Sequence, residues 1–169
     1  MITRTDVYAK RKQGDVDEAC RMALELMGSL DRDYWDKKAY CWCLIDLIKR
    51  DASNGMLDNL PHYRSQLESI RVDPSDEVLT KGIRSALALC SPCGREISQA
   101  KALSKAGRHA EAVAAYRKAL AQCQADRETQ TGFGWELFKH SKALIAAENV
   151  NIGTIKRNLN DYLKLDVEK

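Results

Sequence analysis

The stretch Cys90-Ser91-Pro92-Cys93-Gly94 has residue types and spacing that suggest chemistry. Two thiols separated by two residues are half of a structural zinc site, or the pair of a redox motif. A structural zinc takes four ligands, usually from two such pairs. The other close pair is Cys41-x-Cys43, whose side chains point about 200° apart on a helix and so do not face one metal. Cys20 and Cys123 stand alone on apolar faces, where thiols are usually buried. A redox pair has its reactive thiol at a helix N-terminus and its partner within that helix. Here Cys90 closes one helix and Cys93 opens the next. Cys90 and Cys93 are thus weak candidates for metal ligands, and they read more simply as buried small residues at a tight helix–helix corner. No cofactor is implied.

Other sources of chemistry are absent. The Gly132-Phe133-Gly134 stretch lacks the lysine and the preceding strand of a phosphate loop, and neither HExxH nor G-x-S-x-G occurs. His62, His109 and His140 are scattered; His109, just after a turn, is expected at the surface, and His140 at the surface or in a groove. No pair of carboxylates stands out from ordinary surface charge. An enzyme is not expected. Trp35, Trp42 and Trp135 raise base stacking, but Trp42 and Trp135 flank apolar residues and read as core, whereas Trp35, beside Tyr34 at a helix start, reads as partly exposed.

The elements that must position these residues are helices. With 44% hydrophobic and 30% charged residues over 169 positions, the chain is long enough for a core and too apolar for disorder. No apolar run approaches the length of a membrane span, and "MITRTDVYAKRKQGD" has no signal-peptide core, so a cytoplasmic protein with reduced cysteines is expected. Only three prolines occur, no stretch alternates apolar and polar residues, and helical spacing recurs throughout. Gly14 and Asp15, with Glu18 as a capping box, read as a helix end followed by a start. Asp73-Pro74 and Ser91-Pro92 read as caps with proline in the first turn, and Asn54-Gly55 and 149–151 as breaks. The expected helices cover about 3–13, 15–30, 34–50, 56–70, 75–90, 92–106, 108–124, 129–148 and 151–165, with boundary errors of about two to four residues.

"KALSKAGRHAEAVAAYRKAL", residues 101–120, then carries the pattern of a repeat: small residues at Ala102, Gly107, Ala112 and Ala119, with Tyr116 between the helices. Gly107, Glu111-Ala112, Tyr116 and Ala119-Leu120 stand at the offsets of the tetratricopeptide repeat (TPR), which this unit resembles. Glu96 and Gln99 replace that family's tryptophan and leucine, and Gln124 its closing proline. A weaker copy, "AKRKQGDVDEACRMALELM", lies 93 residues earlier. That offset aligns Gly14 with Gly107, Tyr40-Cys41-Trp42 with Phe133-Gly134-Trp135, and Leu44 with Leu137. Duplication is the reading drawn; chance register between helical segments is the alternative. The expected fold is all-α, an antiparallel helix-pair stack of about nine helices, with a first half at 1–73, a bridging helix at 74–92 and a second half at 93–169 in one continuous domain. The resemblance implies a right-handed solenoid with a concave face; stacked helix pairs bury what one pair cannot. The aromatic landmarks also resemble helical repeat regions of bacterial proteins linked to mobile elements and defence.

In TPR pairs the inner face of the first helix contacts ligand, and the resemblance carries this role to Tyr8, Arg11 and Lys12, and to Lys101, Ser104 and Lys105. From Val78 to Lys118 eight basic residues face two acidic ones, which suits an anionic partner. The expectation is a scaffold that binds an acidic protein segment. Nucleic-acid binding is the alternative, and a small TPR chaperone for a secreted protein a third reading.

Overall fold

A computed structural model describes residues 2–123, 126–147 and 151–165. They form nine α-helices and no strand: α1 (Arg4–Lys12), α2 (Val16–Met27), α3 (Tyr34–Asn54), α4 (Leu60–Ser69), α5 (Glu77–Leu89), α6 (Pro92–Lys105), α7 (His109–Gln122), α8 (Arg127–Ala146) and α9 (Ile152–Leu163). None of them is long and apolar enough to cross a membrane. Of the break expected at 149–151, positions 149 and 150 lie outside the described residues.

The helix ends follow local chemistry. Gly14, Gly55 and Gly107 adopt positive φ at the ends of α1, α3 and α6, a conformation open to glycine because it has no Cβ. Thr3 and Asp33 each close a capping box at the starts of α1 and α3, and Pro92 stands at the first position of α6. Two expected caps are corrected. Asp15 makes no side-chain cap on α2; its carboxylate takes Lys10 Nζ at 3.1 Å instead. Asp73 folds back on the amide and hydroxyl of Ser75, and Asp76 caps α5 through the amide of Leu79.

The chain divides into two compact units, Met1–Ser91 and Pro92–Lys169. In the N-terminal unit α3 is the central helix: Tyr40, Cys41, Cys43, Leu44, Ile45, Leu47 and Ile48 are all buried on it, and α1, α2, α4 and α5 pack around it. In the C-terminal unit α6 packs on α7, α7 on α8 and α8 on α9, around Val113, Tyr116, Phe133 and Leu137. Adding 93 to the bounds of α1–α4 gives 97–105, 109–120, 127–147 and 153–162, which fall on α6–α9.

The segment read from sequence as a bridge contains α5, and α5 is seated on α3 within the N-terminal unit. Tyr34 Oη donates to Asp76 at 2.9 Å and Lys38 Nζ meets the same carboxylate at 2.5 Å. Further along α5, Gly82 lies on Trp42. A Cβ at Gly82 would stand 2.9 Å from Trp42 Cη2, closer than carbon atoms pack, and 3.4 Å from Ile45 Cδ1.

The expectation of reduced cysteines is also corrected. Cys93, at the start of α6, is disulfide-bonded to Cys123, just after α7. The helical pattern places Cys123 on an apolar face but does not show that the α6–α7 hairpin brings its two ends together. Cys20, Cys41, Cys43 and Cys90 are free thiols.

Candidate functional site: the α8–α9 groove

The C-terminal unit carries two buried polar knots and, above one of them, an apolar groove. Glu136 on α8 is buried because Phe133, Glu136 and Leu137 share one face at i, i+3, i+4 spacing, and that face is the core face. Its carboxylate accepts from Ser104 Oγ at 2.7 Å and Lys139 Nζ at 2.9 Å, and pairs with His109 Nδ1 at 2.8 Å. Burial pushes the Glu136 carboxyl up, but the hydrogen bonds from Ser104, Lys139 and His109 outweigh it and hold the group below its ordinary value. Ser104 and His109 both address the same carboxylate instead of each other, so the serine–histidine contact of a triad is not made. The cluster is not a nucleophilic triad; it ties α6, α7 and α8 together. His109, expected at the surface, is in fact held in this knot.

The second knot joins α7, α8 and α9. Asn158, nearly fully buried, accepts from Arg117 Nη2 at 3.0 Å and donates to Ser141 Oγ at 3.0 Å. Its amide nitrogen also lies 3.3 Å from His140 Nδ1. Arg117 Nε donates to Asp161 at 2.7 Å. Burial, with the nearby positive charge of Arg117 and then His109, lowers the His140 pKa.

Above Asn158 and Ser141 lies a groove of about 790 Å³. α8 walls it with Arg127, Thr131, Trp135 and Phe138, and α9 with Ile155, Leu159 and Tyr162; Gly134 and Leu137 complete the floor. A Cβ on Gly134 would come within 3.2 Å of Tyr162 Cε2, so the glycine sets how closely the helices approach. Trp135 and Phe138 are 60% and 58% exposed and meet edge to face at 6.1 Å. The expectation that Trp135 is core is thereby corrected: the face on which it flanks apolar residues is uncovered. Trp42 is half-buried, as its core reading requires, and Trp35 is 55% exposed.

The groove residues carried over from the repeat resemblance sit elsewhere. In the N-terminal unit Arg11 bonds Asp46 at 2.7 Å and stacks on both Tyr8 and Trp42 at 5.6 Å, and Lys12 is exposed. In the C-terminal unit Lys101 pairs with Glu128 at 3.0 Å and Ser104 with Glu136, while Lys105 is exposed. Much of the basic excess is neutralised in the same way: Arg108 pairs with Glu111, Arg117 with Asp161 and Lys118 with Glu96. Arg11, Lys101 and Ser104 therefore tie one helix to the next but one, α1 to α3 and α6 to α8, while Tyr8 lies under Arg11 on the same helix. The α8–α9 groove escapes a sequence reading because Trp135, Phe138 and Leu159 carry an ordinary core pattern, and it is their exposure among the described residues that marks them as a candidate site.

Among the described residues no three His, Cys, Asp or Glu side chains gather to hold a metal, and Cys93 is committed to the disulfide, which removes it from any pair with Cys90. Comparison with family models, with curated proteins and with solved structures found no match to this chain.

Proposed function

We propose that this chain is a non-enzymatic helical-repeat scaffold of the TPR type, a right-handed solenoid that takes up a segment of a protein partner on the α8–α9 groove. The observation that carries this reading is the uncovered aromatic wall, Trp135 and Phe138, over a concave apolar floor. Large rigid aromatics in a concavity are what interface anchors are made of, and two packed helices offering apolar side chains suit an amphipathic helix. The polar groups beneath are spent on each other, which argues for structure there and against catalysis. Nucleic-acid binding has less support, since four of the basic residues between Val78 and Lys118 are held in ion pairs within the unit.

The test is titration of isotope-labelled protein with a panel of acidic amphipathic helical peptides, followed by amide shifts. Saturable shifts centred on α8 and α9, abolished by Trp135→Ala, are expected. Shifts confined to the Tyr8–Lys12 and Lys101–Lys105 faces would move the site back to the inner helices, and no shift with any peptide would reject the scaffold reading.

A further inference from the structure

The knot beneath the groove fixes the direction of one side-chain amide. A guanidinium only donates, and Arg117 Nη2 meets Asn158 Oδ1 at 3.0 Å. The amide oxygen is therefore turned to α7. The amide nitrogen is turned to α8, where it lies 3.0 Å from Ser141 Oγ and 3.3 Å from His140 Nδ1. Opposite an N–H group, Nδ1 must present its lone pair, so His140 here is the neutral ring with its proton on Nε2. Turning the amide over is no remedy, because its NH2 group would then oppose the guanidinium.

The same amide is central to how α9 is attached. Asn158 is the one buried residue of α9, whereas Ile152, Leu159, Tyr162 and Leu163 are 45–61% exposed. Matched polarity, more than an apolar core, holds this helix to α7 and α8. A proton on His140 Nδ1 would set one N–H against another. Among the described residues the nearby carboxylates are already engaged: Asp161 of α9 with Arg117, and Glu136 of α8 with Ser104, Lys139 and His109. From α7, Arg117 and then His109 add to burial in disfavouring a charged His140. Resting on the scaffold reading, we infer that this knot is an acid-operated latch: protonation of His140 expels the Asn158 amide, α9 leaves α8, and the groove loses one of its two walls.

What this does to a bound segment follows from the way the groove is built. α9 supplies Ile155, Leu159 and Tyr162, so a segment seated between the helices loses one side of its contacts when α9 departs. The linkage runs both ways: a segment that binds only the closed groove makes His140 harder to protonate, by the factor by which acid weakens its binding. The response belongs to this chain, because ordinary Asp and Glu side chains on a partner titrate at lower pH than an imidazole. Opening also stays local. The Glu136 knot ties α6, α7 and α8 together without using α9.

The experiment takes the full chain from about pH 7.5 to about pH 5. Proton NMR follows the His140 ring, protection factors follow the amides of α7, α8 and α9, and anisotropy gives the affinity of the tightest acidic amphipathic peptide of the panel. Protection of α9 should fall with the midpoint of the His140 ring while α7 stays protected. The peptide should bind at least about fivefold more weakly at the acid end. His140→Gln supplies an acceptor that does not titrate, and should keep α9 protected and the affinity level throughout. Asn158→Asp gives the imidazolium an acceptor, so it should raise the His140 pKa above the ordinary 6.5 and keep α9 protected in acid. Circular dichroism checks the helices of both variants; if Asn158→Asp does not fold, His140→Gln decides. A His140 ring that titrates while α9 stays protected overturns the latch and leaves the scaffold reading in place. So does acid opening of α9 that persists in His140→Gln, or a peptide affinity equal at both ends of the range. If α9 opens with His140 and no peptide binds at any pH, the latch stands and the scaffold reading falls.

Discussion

At the scale of single residues, the decisive side chains are polar groups placed where the pattern reads as apolar. Glu136 shows why such residues escape a sequence reading. Its spacing from Phe133 and Leu137 puts it on the core face, but the donors that make burial tolerable come from Ser104 and His109, 32 and 27 residues away. Removing the carboxylate leaves a hydroxyl, an imidazole and an ammonium without their acceptor. Glu136→Ala is therefore expected to lower stability by about 1–3 kcal/mol, because Lys139 and His109 are partly open to water and can be solvated, and chemical denaturation measures it. His140 makes a pH prediction. Its pKa in the folded protein lies below the ordinary value of 6.5, so on acidification the unfolded chain takes the proton first. The folded state is at full stability above that value and loses stability as pH falls through it. Glu136 acts lower: with its folded pKa depressed from 4.5, its contribution is present above that value and lost below. The melting temperature should thus decline between about pH 7.5 and 5.5, and His140→Gln should flatten that decline.

At the scale of elements, two contacts decide how helices are held. The first is Gly82 on Trp42. The half-buried indole is packed against the core of the N-terminal unit, so a larger side chain at 82 pushes α5 away from α3. Gly82→Leu should cost about 1–3 kcal/mol as overpacking and speed hydrogen exchange in α5 before α2 or α4, as amide exchange would show. The second is the disulfide that closes the α6–α7 hairpin across a separation of 30 residues. On the loop-closure account such a crosslink contributes roughly 3–4 kcal/mol. Cys93→Ser with Cys123→Ser, or a dithiol added to the wild type, should lower the melting point of the C-terminal unit and leave the N-terminal unit unchanged. The helices themselves are legible in the sequence because glycine and proline punctuate them. Gly14, Asn54-Gly55, Gly107 and Pro92 fall at the observed ends. The caps are less so, since Asp15 and Asp73 have the right type for a cap but find stronger partners in Lys10 and Ser75.

At the scale of the whole molecule, the all-helical architecture and the 93-residue register can be read from periodicity and landmark residues, whereas the membership of α5 in the N-terminal unit cannot. A helix at 77–89 with apolar residues on one face is the same string whether it bridges two halves or closes one of them. Its partner, a face of α3, is set by tertiary packing. The same blindness hides the groove: sequence shows that Trp42 and Trp135 correspond, but not that only one of them is covered. The two units also differ in how much they bury. The N-terminal core includes the largely buried α3 and four helices around it, and the C-terminal core rests on a few residues of α6, α7 and α8. Unfolding is expected in two steps, with α8 amides exchanging at lower denaturant concentration than those of α3. Coincident exchange in both units would contradict it.

The glycine at position 82 has a consequence for self-association. The atoms a methyl group there would first meet belong to Trp42 and Ile45, so the step that leads to association is any loss of that fit, which bares the Trp42 face to other copies. Positions 82 and 42 are therefore coupled: trimming the indole should return part of the stability that a larger side chain at 82 removes, and a double-mutant cycle measures how much.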